Sequence, residues 1–209
     1  MRYCLLPIVL ILTLLAGCST RPVVPPESAP SSPIDIPDSW PEHVRQLTLL
    51  KDWQLKGKIG IRTQNNGGSA YLDWSQSEDS FHIQLSGPLG QGATIISGNP
   101  YGARLKNNEG EYLSESPEQL LMDHTGWDLP LSNLLYWVKG IPAPRGKPVM
   151  TYNEQGMLDT LQQNQWHLSF PRYQQTMNLW LPQRIVIHNQ DLKVTLIIKT
   201  WQPIQAHNP

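Results

Sequence analysis

Trp53-Gln54-Leu55-Lys56-Gly57-Lys58-Ile59-Gly60-Ile61 alternates with a period of two. Trp53, Leu55, Ile59 and Ile61 fall on one side, and Gln54, Lys56, Lys58 and Gly60 on the other. Successive side chains of a strand point to opposite faces, so the run reads as a half-buried strand. Asn65-Asn66-Gly67-Gly68 follows as a turn signal. Ala70, Leu72 and Trp74 then alternate with Tyr71, Asp73 and Ser75 in a second strand. Phe81, Ile83 and Leu85 mark a third, Ala93 to Ser97 a fourth, and Gly102 to Leu105 a fifth. Antiparallel neighbours joined by short turns make a meander.

The period then changes. Ser116 and Gln119 have capping-box spacing, with Pro117 at the first helical position and Gly126 as the C-terminal stop. Leu131, Leu134, Leu135 and Val138 mark another helix, closed by Gly140 and Pro142. Strands resume beyond Pro148, over Leu158 to Gln162, Trp166 to Phe170, Arg184 to His188 and Leu192 to Trp201. Val194, Leu196, Ile198 and Thr200 are read on one face of the last. Upstream of Trp53, Ser39 and Glu42 make another capping box, and Trp40, Val44 and Leu47 recur at helical spacing. The fold class expected is α+β. Nine to eleven antiparallel strands in about 170 residues curl rather than leave long flat edges. The result is an incomplete antiparallel β-barrel with a helical lid, enclosing an apolar cavity.

The N-terminus carries a different message. Leu15-Ala16-Gly17-Cys18 is a lipobox, preceded by Arg2 and by an apolar run from Cys4 to Leu15. That run of about 12 residues is too short to span a bilayer, which takes about 20 in a helix. Small Ala16 and Gly17 let a peptidase reach the backbone beside Cys18, whose thiol can carry a thioether-linked lipid. Three acyl chains on that residue exceed what stable anchoring requires. From residue 19 to 38 the chain is a tether with six prolines, extended at about 3.1 Å per residue and reaching on the order of 60 Å. The organisation expected is a signal peptide over 1–17, a lipidated Cys and tether over 18–38, and a folded domain over 39–209.

Cys4 leaves with the signal and Cys18 is blocked by lipid. The domain therefore has no disulfide and no thiol-based metal site. Loss of Arg2 takes the 16 basic residues to 15 against 17 acidic ones, a net charge of −2. No run of basic residues stands out along the chain, so neither nucleic acid nor a polybasic membrane patch is suggested. The six histidines have no metal-like spacing, and no Gly-x-Ser-x-Gly elbow or phosphate loop occurs. No cofactor is implied, and an enzyme is not supported.

One connection needs its own account: Ser86-Gly87-Pro88-Leu89-Gly90-Gln91-Gly92. Its Gly and Pro content predicts a projecting loop with a large aliphatic residue, Leu89, at the middle. Leu89 either tucks back over the barrel mouth or enters a membrane or a partner's groove.

The lipobox, Trp53-x-Leu55-x-Gly57, Pro88-Leu89-Gly90, and Leu129-Pro130-Leu131-x-x-Leu134-x-x-Trp137-Val138-x-Gly140-Ile141-Pro142 together resemble the LolB family of outer-membrane lipoproteins. The resemblance spans about Trp40 to Trp201. It implies an incomplete β-barrel closed by helices, with a cavity for acyl chains. It implies a receptor on the periplasmic face of the outer membrane that accepts lipoproteins from the periplasmic carrier LolA and inserts them among outer-membrane phospholipid, without ATP. Leu89, flanked by Pro88 and Gly90, matches the family's membrane-insertion loop, and Ser19 after Cys18 fits outer-membrane sorting. The strand and helix faces put Ile59, Ile61, Leu72, Trp74, Ile83, Leu85, Leu134 and Trp137 forward as cavity lining. Two other readings fit parts of the pattern. One is a scaffold lipoprotein gripping a protein or peptidoglycan. The other is a lipocalin-like binder, against which the helical interlude argues.

Overall fold

The computed structural model describes residues 39–88 and 92–204. The lipobox residues Leu15 to Cys18, the tether, Leu89 and Gly90, and the tail from residue 205 lie outside the described residues. Among the described residues no helix is long and apolar enough to cross a membrane.

After helix α1 (Trp40–Leu49) come six strands: β1 (Trp53–Thr63), β2 (Gly67–Ser77), β3 (Ser80–Ser86), β4 (Thr94–Asn99), β5 (Gly102–Lys106) and β6 (Glu111–Ser114). Helices α2 (Pro117–Thr125) and α3 (Leu131–Trp137) follow. Five more strands complete the domain: β7 (Val149–Tyr152), β8 (Leu158–Gln163), β9 (Trp166–Thr176), β10 (Leu179–His188) and β11 (Leu192–Pro203). They form one sheet in the order β6-β5-β4-β3-β2-β1-β11-β10-β9-β8-β7. Two meanders are thus joined along a β1–β11 seam, every pairing antiparallel. The edge strands β6 and β7 do not pair, so the barrel is incomplete. The chain between those two edges is α2 and α3. A connection from one edge to the other has to cross the gap, and α2 packs on β4, β5 and β6 as it does so.

The period-two run at β1 does what its pattern requires: Trp53, Leu55, Gly57, Ile59 and Ile61 are buried on one face. Gly57 sits at a bulge, where the register with β11 shifts between Lys56 and Gly57. A Cβ there would collide with the backbone carbonyl of Ile197, so only glycine permits the strands to approach this closely. The bulge places an extra residue, Lys199, in β11 and reverses the phase beyond it. Thr200, expected on the inner face, is therefore exposed, and Trp201 is buried instead. Trp201 joins Trp53 and Trp74 in a cluster whose ring centroids lie 5.3 Å apart along each contact to Trp53. Its indole N–H donates to the Pro182 carbonyl at 2.9 Å.

The helix starts depart from their sequence signals. Ser39 makes no side-chain cap, its own backbone lying in the helical region at φ −73° and ψ −18° instead of the extended region a cap needs, and the Glu42 carboxylate turns to Arg45 and Gln46. At α2 half of the box forms. Ser116 Oγ accepts from the Gln119 backbone N–H at 3.2 Å, while the Gln119 amide turns to Asp123. Gly126 ends α2 in the left-handed region at φ 71°, the conformation glycine adopts without Cβ strain. Helix α3 has Pro130 before it and no cap of its own. Glu118 of α2 supplies one, accepting from the Ser132 backbone N–H at 3.0 Å, where a carboxylate complements the helix dipole.

Candidate functional site

Between the inner face of the sheet and the two lid helices lies a narrow internal space of about 30 Å³. Ile59, Leu72, Trp74, Ile83, Leu85, Ile96 and Leu196 line it from the sheet. Leu121, Trp127, Leu129, Leu131 and Leu134 line it from the helical side. Every lining residue is apolar. That is room for about two water molecules, so the lining side chains nearly close the space in this conformation.

Six of the eight lining positions read from the sequence meet here: Ile59, Leu72, Trp74, Ile83, Leu85 and Leu134. Ile61 and Trp137 are buried but stand elsewhere. Ile61 lies further along β1, opposite Gly68 and Val194. Trp137 is drawn away by its own polar atom, since a buried indole N–H needs an acceptor. It donates to Gln163 Oε1 at 2.9 Å. The residues not put forward include Ile96, Trp127 and Leu129. The Leu129-Pro130-Leu131 motif was visible, but nothing in its spacing said which way the two leucines would face.

The lid is fastened at one end by two buried polar side chains. Gln163 of β8 is completely buried. It accepts from Trp137 and from the Ala143 N–H at 3.0 Å, and its amide donates to the Ala143 and Arg145 carbonyls at 2.8 and 2.9 Å. All of its hydrogen-bonding capacity thus goes into holding the chain that follows α3. Lys139 is 7% exposed and donates to the Leu47 and Leu50 carbonyls at 2.9 and 3.2 Å. It thereby satisfies the open carbonyls at the end of α1. Burial, with the nearby Lys51 charge, lowers its pKa to about 8. Beside it Gly140 adopts φ 78°, against Pro182 and the Tyr173 ring. The Tyr173 hydroxyl donates to the Leu158 carbonyl at 2.7 Å, and burial pushes its pKa far up.

The other half of the lid is held differently. Leu120 and Leu121 of α2 are buried, and His124 stacks on Tyr112 with ring centroids 3.7 Å apart. Among the described residues no side-chain hydrogen bond joins the body of α2 to the sheet; at its N-cap the Ser116 N–H donates to Ser114 Oγ of β6 at 3.1 Å. A groove of about 760 Å³ runs beside this region and shares Trp74, Ile83 and Leu131 with the internal space. Glu78, Asp79, Glu115 and Glu118 border it. Pro88, the last described residue of its connection, is exposed.

The model of the family described as outer membrane lipoprotein LolB matches residues 51–201. That span contains the whole sheet up to Trp201, the lid, and every internal lining residue. The chain belongs to the LolB family. The LolB of Pseudomonas syringae pv. syringae is 42% identical over 197 residues, covering 94% of this chain and 93% of its own. The LolB of Pseudomonas aeruginosa LESB58 is 44% identical, covering 80% and 82%. Both bear the name outer-membrane lipoprotein LolB. A solved DUF1329 family protein from Desulfovibrio piger shares the fold with a TM-score of 0.52 at 7% identity, covering 78% of this chain and 90% of that one. The LolB motifs named above now have physical roles. Gly57 admits the β11 backbone, and the Trp137 to Pro142 strip ties the lid to β8, α1 and β9.

Proposed function

We propose that this LolB-family lipoprotein is an outer-membrane receptor, tethered through lipidated Cys18. It takes the acyl chains of lipoproteins from the periplasmic carrier LolA into the apolar space beneath α2 and α3, and passes them to the outer-membrane phospholipid. The observation that carries this reading is the all-apolar lining. Each buried methylene is worth about 0.8 kcal/mol, so an acyl chain leaves water for such a surface without any nucleotide. The buried polar atom left without a partner among these side chains is the Trp74 indole N–H, too little to hold a polar ligand.

At about 30 Å³ the space is too small for an acyl chain, so loading needs the lid to move. Helix α2 is the part that can do so, since apolar contact holds it to the sheet and the Glu118 carboxylate ties it to the start of α3, while α3 is itself tied by Gln163 and Lys139. Leu89 is proposed as the tip that enters the bilayer during release, a reading that rests on its Pro-Leu-Gly setting alone.

Two measurements test the two halves. An apolar fluorescent probe should bind the detergent-free protein and be displaced by lipoprotein. Absence of any saturable site would remove the physical basis of transfer. Leu89→Glu should leave probe binding and thermal stability unchanged while abolishing incorporation of cargo into liposomes. A melting point lowered by several degrees would instead return Leu89 to the core.

A further inference from the structure

Four strands that are consecutive in the sheet, β1, β11, β10 and β9, contain no Asp or Glu at all. All fourteen carboxylate side chains of the described residues lie outside them, whereas seven of the fourteen Lys and Arg lie within. Those seven are Lys56, Lys58, Arg62, Arg172, Arg184, Lys193 and Lys199, and each is exposed on the outer face of the sheet.

The register brings the charges together across strands. Arg62 stands opposite Lys193, Lys193 opposite His188, and His188 opposite His167, with the two imidazoles 5.3 Å apart and nearly parallel. In a second row Arg184 stands opposite Arg172. Lys58 lies across β11 in that row and rests over the Tyr71 ring. Of the seven, Lys56 alone has a carboxylate within ion-pair distance among the described residues, Asp73 at 2.9 Å. Like charges directly opposite one another on neighbouring strands destabilise a sheet. The fold carries that cost over a patch on the order of 20 Å across.

The geometry points to this outer face as a docking surface for anionic phospholipid headgroups of the bilayer that holds the anchor. The inference rests on the proposed lipid anchor. Three observations favour a membrane over an acidic protein. The tether leads from Ser39 back to Cys18, and its reach of roughly 60 Å is enough for the sheet to lie on the surface. A carrier handing over acyl chains has to face the groove beside the lid, on the inner side of the sheet, where the carboxylates Glu78, Asp79, Glu115 and Glu118 outnumber the lysines Lys51 and Lys139. The cationic face is the other side, so a bound carrier leaves it free. The row from Arg62 to His167 also lies at the end of the sheet toward which β3 runs before Pro88. A face of this kind would present the acidic groove away from an anionic surface and hold the domain in one orientation.

The test uses the full mature lipoprotein in vesicles. One set contains phosphatidylethanolamine with phosphatidylcholine, and the other phosphatidylethanolamine with phosphatidylglycerol. Brief lysine acetylation read by mass spectrometry should show Lys58, Lys193 and Lys199 modified at least about five-fold more slowly on the anionic vesicles, the factor expected from one basic residue held at such a surface. High salt should restore their rate, and Lys106 and Lys147 should not change. The combined variant Arg62→Glu, Arg172→Glu and Arg184→Glu, checked for an unaltered melting point, should lose the protection. Equal modification on both vesicles would overturn the inference. So would protection that appears only when an acidic periplasmic protein is added. Flotation with the vesicles reports the anchor, and the apolar probe reports the cavity, so failure here is distinguishable from failure of the proposed function.

Discussion

The two halves of the lid share one apolar interior but are held by different forces. The α3 end is fixed by directional contacts: four hydrogen bonds at Gln163 and two from Lys139, all with little or no access to water. The α2 end is held to the sheet by Leu120, Leu121 and an aromatic stack, which are non-directional and can slide; its directional tie is to the other lid helix, where Glu118 accepts from the Ser132 N–H at 3.0 Å. Buried polar networks specify one geometry because any displacement leaves a group unpaired. Apolar contact tolerates displacement, and an acyl chain can replace it in kind. The contrast assigns the hinge to α3 and the moving part to α2.

The largest effect should come from cutting the fixed end. Gln163→Leu fills similar volume but strands Trp137 Nε1, the Ala143 N–H and two carbonyls. At about 1–3 kcal/mol for each group left without a partner, partly relieved by relaxation, the expected loss is about 3–5 kcal/mol. Denaturant unfolding would show it as a lower midpoint with an unchanged slope. A loss below about 1 kcal/mol would mean that the network fixes nothing.

Much of the inner face was legible because burial imposes a period on the residues that create it. The regions that were not legible share a physical reason. Strands β6 and β7 gave no signal, and they are the two edges of the sheet. Neither contains a fully buried residue, and Leu113 and Val149 are 75% and 54% exposed. Each does alternate, but only between exposed and half-buried positions over four residues, too short and too weak a pattern to read. Along β1, β2 and β3 the alternation put forward Ile59, Leu72, Trp74, Ile83 and Leu85, and these side chains do meet around one internal space. Trp137 stands apart from that space, because a hydrogen bond from this α3 residue to Gln163 of β8 decided its direction. Ser39 makes no cap because its own backbone is already helical, a property that its spacing to Glu42 does not reveal. The cationic face was invisible for another reason: Arg62 and Lys193 are distant in sequence, and only the β1–β11 pairing makes them neighbours.

A middle-sized effect is expected at Lys139, and pH reveals it. Its folded pKa of about 8 lies below the ordinary lysine value of 10.5. Between those values the unfolded chain binds more protons than the folded one, so stability rises with pH across that window. Above about pH 10 Tyr152 and Tyr173, both shifted upward by burial, pull stability the other way. Lys139→Met removes the lysine contribution, so the gap between the two proteins should change by on the order of 2 kcal/mol from pH 7.5 to 10. Parallel stability curves would show that the ammonium is not confined by α1, and the fixed end would then rest on Gln163 alone.

The smallest effect probes the moving part directly. Ser116→Ala deletes the oxygen that accepts from the Gln119 N–H and removes the hydroxyl contact to Glu118. Loss of such a cap costs about 1 kcal/mol, too little to unfold the domain but enough to change how often α2 lifts. Amide exchange in α2 should accelerate about five-fold, and with it the Ser132 N–H that Glu118 caps, while the amides at the far end of α3, such as the Val138 N–H bonded to the Leu134 carbonyl, keep their wild-type rates. An apolar probe should also enter faster, since the substitution touches none of the lining residues. Equal acceleration in both helices would mean that the lid opens as one body. The hinge would then have to be sought beyond α3, in the segment that Gln163 holds against β8.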